Sequence, residues 1–314
     1  MWDHIDPRTK DSSGRPNPGR GAGTPDARER PSRGPRDVFT EGLDLPQGRD
    51  REPVVLGDEV YSLRGSEVRA LATVGAFRIV AVDDLRDDRG EAGALWKGDV
   101  RHLRASGLVT TVAPAERDSR TSVVTLTERG RELLEARRRP DHEPAQTFHA
   151  GVLRTRELGH DTQVYRAYER SAERQAAREA RVLRVVLEQD LKREYQRFLQ
   201  EPNRGRSDAD GRVRRTPEEV RQWAAEHELS VRDGHVQFPD LRLELETADG
   251  RREIEDIEVT TLHYRGLQAS AKASAGFTRY RSSGGRVGGR LTGRGGRSGS
   301  RRGPDLHLAE EVLR

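Results

Sequence analysis

Apolar positions first become periodic near Val54, and the pattern fades after Ala136. Within that stretch Val68, Leu71, Ala72 and Phe77 recur at helical spacing behind Ser66, a residue type suited to capping a helix N-terminus. Val82-Asp83-Asp84-Leu85 reads as the start of a short second helix with Asp83 as its cap. A third helix fits Leu95 to Ala105, with Leu95, Val100 and Leu103 facing inward and Lys97, Arg101 and Arg104 outward. Ser106-Gly107 stops it, glycine being suited to the left-handed position after a helix. Two β-branched runs, 108–112 and 121–126, flank a polar segment and predict a hairpin. Thr127 caps a closing helix that runs through Leu134.

A second ordered stretch runs from about Phe148 to Tyr280. A helix rich in Ala, Glu and Arg is expected from Asp161 to about Ala180, then a strand over 182–187 and a helix over 190–199. Leu183, Leu187, Leu191, Tyr195 and Phe198 also keep helical spacing, so one long helix over 161–199 is the rival; the β-branched cluster favours the strand. Thr216-Pro217 opens another helix, with Trp223 on its core side. Val236 to Asp240 leads into a strand over 241–245, Asp249-Gly250 supplies a hairpin turn, and 254–259 returns. Alternation places Asp256 and Glu258 on one face of that return strand.

The expected fold class is therefore α+β. A disordered leader (1–52), rich in Pro, Gly and Arg, precedes a helical and hairpin domain (53–137), a linker (138–160) and an α/β domain (161–281). Residues 282–314 form an Arg/Gly-rich tail ending in a short helix, Leu306 to Leu313. Charged residues make up 35% of the chain and the AVILMFWYC set 32%, so a sizeable part is uncommitted to any core. No apolar run reaches the ~18 residues of a membrane span, and the start lacks a secretory pattern. A soluble, cytoplasmic protein without a membrane partner is expected.

Zero cysteines exclude disulfides, Cys-ligated zinc, iron–sulfur clusters and a thiol nucleophile. The chain has 53 Arg but only Lys10, Lys97, Lys192 and Lys272, and none of these lies in a phosphate-cradling Gly-x-x-x-x-Gly-Lys loop, which disfavours an ATPase. A net charge of +4 does not by itself argue for nucleic acid, but residues 281–303 hold seven Arg, nine Gly and no acid.

Three helices, a hairpin and a closing helix make up a winged helix-turn-helix, and "DVRHLRASGLV" with "VVTLTERGRELLE" resembles MarR-like regulators. A helix in the major groove offers arginines to guanine edges and phosphates, and wing arginines reach the backbone. The candidate DNA contacts are Lys97, Arg101, His102 and Arg104, with Arg117 and Arg120 on the wing.

Pro239-Asp240 followed by Glu258-Val259-Thr260 resembles the PD-(D/E)XK nuclease layout. That resemblance implies Asp240 and Glu258 as Mg²⁺ ligands and a catalytic lysine. Thr260 stands where the motif lysine belongs, and Lys272 is the candidate replacement. The winged helix together with "RELGHD", "PD" and "EVTT" resembles the replication-relaxation family of plasmids and integrative elements. That likeness adds Glu188 or Asp190 to the positions of interest and draws notice to His160-Asp161. It implies a DNA-binding protein acting in replication, conjugative transfer or their regulation. The alternatives are a metal-dependent endonuclease and a docking partner of a relaxase. The expected partners are double-stranded DNA, a relaxase or replication protein and a second copy of the chain. No cofactor is required, Mg²⁺ entering only if the nuclease-like half is active.

Overall fold

Short apolar runs that lack helical period build the first elements of the chain. A computed structural model describes residues 38–85, 97–112, 122–152, 158–204, 215–260 and 275–281. Helix α1 (Val38–Glu41) is a single turn carrying Phe39. Strands β1 (Glu52–Leu56) and β2 (Glu59–Leu63) form an antiparallel hairpin turning at Gly57, whose φ of 59° suits glycine. Cross-strand partners Val54 and Tyr61 point inward, whereas the partners Val55 and Val60 are exposed. Residues 38–51, expected to belong to a disordered leader, are instead folded in. Phe39 and Leu43 are 1% and 2% exposed, and Asp44 N–H donates to Arg137 O at 2.7 Å.

Helix α2 (Gly65–Phe77) buries Val68, Leu71, Ala72 and Phe77 as its periodicity requires. Its cap is not Ser66: the helix starts one residue earlier, and Glu67 accepts the Arg64 N–H at 3.1 Å. Strand β3 (Val80–Ala81) follows, then a 3₁₀ turn (Val82–Asp84) in place of the start of a second helix. Helix α3 (Lys97–Ala105), β4 (Val109–Val112), β5 (Val123–Leu126) and α4 (Glu128–Ala136) complete the first half. The sheet order is β3-β5-β4, antiparallel throughout. Thr127 caps α4, accepting Gly130 N–H at 3.1 Å. A Cβ at Gly130 would lie 2.1 Å from Leu108 O, so α4 can pack this close to the start of β4 only with glycine there.

The second half contains α5 (Leu158–Ala176), β6 (Arg181–Leu187), α6 (Glu188–Gln200), α7 (Pro217–Glu226), the small β7 (Val231–Arg232) and β8 (His235–Val236) hairpin, β9 (Leu241–Glu246), β10 (Arg252–Thr260) and β11 (Thr278–Arg281). The single-helix alternative for 161–199 is excluded, because β6 pairs antiparallel with β9. The four-stranded order is β11-β10-β9-β6, with β10 antiparallel to β9 and parallel to β11.

Both halves draw on one core. Phe39, Phe77, Tyr165 and Tyr168 meet with ring centroids 5.0–5.5 Å apart in four pairs, joining α1, α2 and α5. Leu241, Leu243, Ile257 and Val259 extend this core across the sheet. The supposed linker takes part: Phe148 and His149 are buried, and His149 N–H donates to Gly75 O at 2.8 Å. A second cluster of Leu191, Trp223, Leu229, Val236 and Phe238 packs α6 and α7 together. The chain is a mixed α+β protein. Among the described residues no helix is long and apolar enough to cross a membrane.

Candidate functional site

Helix α3 is amphipathic, and its inner side is settled by Leu103 and by Asp99, which is buried and paired with Arg64. Arg101 and Arg104 are exposed on the other side, one turn apart and hence neighbours on the helix surface. Arg104 Nη1 reaches Thr111 Oγ1 only at 3.4 Å, a weak tether that leaves its head in water. His102 behaves differently. Its Nε2 lies 2.8 Å from Ser62 O, and since a carbonyl only accepts, that nitrogen carries the proton. The ring therefore ties α3 to β2 through this nitrogen. The Lys97 side chain, Arg117, Arg120 and Lys272 lie outside the described residues.

The carboxylates of the sheet come from two adjacent strands. Register pairs Leu241 with Ile257, so Asp240 and Glu258 stand side by side one step beyond the ladder. Asp240 Oδ2 accepts Val259 N–H at 2.7 Å, and Asp240 O accepts Glu188 N–H at 3.3 Å. Glu258 is 3% exposed. Asp256, on the same face, is held by Arg242 through bonds of 2.7 and 2.8 Å. Glu255 points to the opposite face, where Ser171 and Gln175 of α5 donate to it. Of the two further acidic candidates, Glu188 pairs with Lys192 at 2.8 Å, while Asp190 contacts Arg193 and His149. Thr260 donates its hydroxyl to Tyr280 O at 3.2 Å, tying β10 to β11 where the nuclease motif would have lysine.

His160 is the member of this cluster that the sequence left without a role. It lies on α5, with Nε2 3.3 Å from Asp240 Oδ2 and Nδ1 3.5 Å from Asp161 Oδ1. Burial alone would lower its pKa, but the bonds to Asp161 and Asp240 and their negative charges raise it to about 10. At neutral pH an imidazolium thus stands against Asp240, on the oxygen that also holds the Val259 amide. In this arrangement Asp240 joins α5, through His160, to β10, through the Val259 amide.

The imidazolium's stabilising contribution is fully present below the unfolded pKa of ~6.5 and falls as pH rises through the folded value of about 10. The difference in urea midpoint between the parent and His160→Gln should therefore be largest near pH 6 and vanish above pH ~10. A difference independent of pH would assign His160 a packing role only.

The chain matches no protein-family model, no curated protein and no solved structure.

Proposed function

We propose that this chain is a winged-helix DNA-binding protein of a plasmid or integrative element, acting in replication, conjugative transfer or their regulation. One observation carries the DNA-binding part: α3 presents Arg101 and Arg104 to solvent opposite buried Leu103, beside the β4–β5 hairpin. Guanidinium groups on such a face bond guanine edges and phosphates. The mobile-element setting follows from the resemblance of the winged helix, "RELGHD" and "EVTT" to the replication-relaxation family, with double-stranded DNA and a relaxase or replication protein as partners.

Arg101→Ala with Arg104→Ala should weaken duplex binding in an anisotropy titration. An arginine that bonds a base edge is worth ~1–3 kcal/mol, and one that neutralises a phosphate adds about one unit to the slope of the salt dependence. A double mutant that binds like its parent at several salt concentrations would remove α3 from the interface.

The second half is read as a PD-(D/E)XK-like scaffold that positions the DNA-binding half without cutting. The adjacency of Asp240 and Glu258 supports the likeness, and the imidazolium on Asp240 supports the loss of cleavage. Supercoiled plasmid incubated with the protein and Mg²⁺ or Mn²⁺ should remain supercoiled. Nicking abolished by Glu258→Gln would make the chain an endonuclease instead.

A further inference from the structure

Arg78, directly after α2, has φ 65° and ψ −48°, and Ile79 N–H donates to Phe77 O at 2.7 Å. This is a γ-turn of the rare, strained hand, which glycine adopts freely and other residues do not. The side chain in this position is nonetheless long and charged, and the residue is 8% exposed. Its contacts are two long neutral ones, from Nη1 to Ala150 O and from Nη2 to His149 Nδ1, both 3.4 Å. Nε is buried without an acceptor, and no ion pair reaches the guanidinium among the described residues. Desolvation pulls its pKa below the usual arginine value.

Arg78 lines an open cleft of about 760 Å³ between α2, α4 and α6, within the ~300–1,000 Å³ range of small-molecule sites. The other cations of the cleft are matched. Arg131 pairs with Glu128 at 2.8 Å, Arg138 with Glu135 at 2.6 Å and Arg193 with Asp190 at 3.1 Å. The charge left over is that of Arg78. A buried guanidinium lacking a counter-ion is retained at a cost in stability, and an oxyanion removes that cost by supplying both charge and acceptors. Arg131 and Arg193 are 40% and 55% exposed, so each can swing from its acid to a second ligand oxygen.

We infer that this cleft is an oxyanion site in which Arg78 receives a phosphate group, with Arg131 and Arg193 closing on it from the rim. The phosphate can belong to a free ligand or to a nucleic-acid backbone. The site does not depend on the role of α3, since Arg101 and Arg104 lie outside the cleft.

The full-length parent, Arg78→Gly and Arg78→Gln are to be titrated with inorganic phosphate by calorimetry, and with a duplex DNA by anisotropy at several salt concentrations. Arg78→Gly relieves both the strained turn and the buried charge, so its Tm without ligand should equal or exceed the parent's. Its affinity for phosphate should fall by about tenfold or more, the equivalent of one charge-assisted hydrogen bond. Arg78→Gln, which keeps the side-chain bulk without the charge, should lose affinity likewise, so the test survives if the glycine variant folds poorly. Loss of phosphate affinity with unchanged duplex binding identifies a free phosphate ligand. A duplex salt dependence flattened by about one unit identifies a backbone contact. Parent-like binding of both probes by both variants, or binding of neither probe by the parent, overturns the proposal.

Discussion

Arg242→Met should lower the stability of the chain by ~3–5 kcal/mol, a large share of the ~5–15 kcal/mol typical of a folded domain. Arg242 lies in β9 directly opposite Asp256, and its side chain is 5% exposed. The guanidinium makes a two-pronged pair with that carboxylate and also donates to His227 O at 2.6 Å and Glu228 O at 3.2 Å. Those carbonyls end α7, so one side chain joins the sheet to the helix that carries Trp223. Methionine keeps an unbranched apolar stem but leaves a mostly buried carboxylate without a counter-charge and two carbonyls without a donor. Urea denaturation followed by tryptophan fluorescence measures the loss. Adding Asp256→Leu should restore much of it, because replacing both partners of a buried pair removes the orphaned charge. If the double variant is as unstable as the single one, the carbonyl bonds rather than the ion pair carry the junction.

Helices α2, α3 and α4, the β4–β5 hairpin and strand β6 were readable because each buries one face and repeats apolar residues at its own period. The adjacency of Asp240 and Glu258 was readable for the same reason, since a hairpin register follows from its turn and its alternation. Residues 38–51 escaped because Phe39, Leu43 and Leu45 are set among Gly, Asp and Pro with no period, and only the far side of the core shows what they cover. The segment 138–160 looked like a linker because its Arg and Pro residues outweigh Phe148 and His149, yet those two fill a gap beside α2. The two halves were read as separate domains because sequence pattern does not report contacts between distant segments. Buried charges carry no periodic signal: Arg242 and Glu67 are buried, and His160 meets Asp240 across 80 positions of chain. His102, named beside Arg101 and Arg104 as a candidate DNA contact, bonds Ser62 O of β2, a contact that the period of α3 does not report.

Glu67→Ala should destabilise the first half by ~2–4 kcal/mol, more than its place in the first turn of a helix would suggest. The residue is 0% exposed. One oxygen accepts Arg64 N–H at 3.1 Å, satisfying a donor that the start of α2 leaves without a helical partner. Arg51 closes on the same carboxylate, with Nη2 at 2.5 Å and Nε at 3.2 Å, and fixes the chain leading into β1. Losing the cap costs ~0.5–2 kcal/mol and losing a charge-assisted bond ~1.5–3 kcal/mol. The upper end of a buried-pair penalty does not apply, because Arg51 is 40% exposed and returns to water when its partner goes. Glu67→Gln keeps the shape and the acceptor for Arg64 while removing the charge, so its loss should be smaller than that of alanine. Since Arg64 also pairs with Asp99 of α3, loosening this junction should, on the proposed DNA-binding role, weaken duplex binding by a small factor while leaving its salt dependence unchanged. Thermal and urea unfolding of the two variants provide the measurement. A loss below ~1 kcal/mol for alanine would mean that water fills the site and takes over the bonds to Arg64 and Arg51.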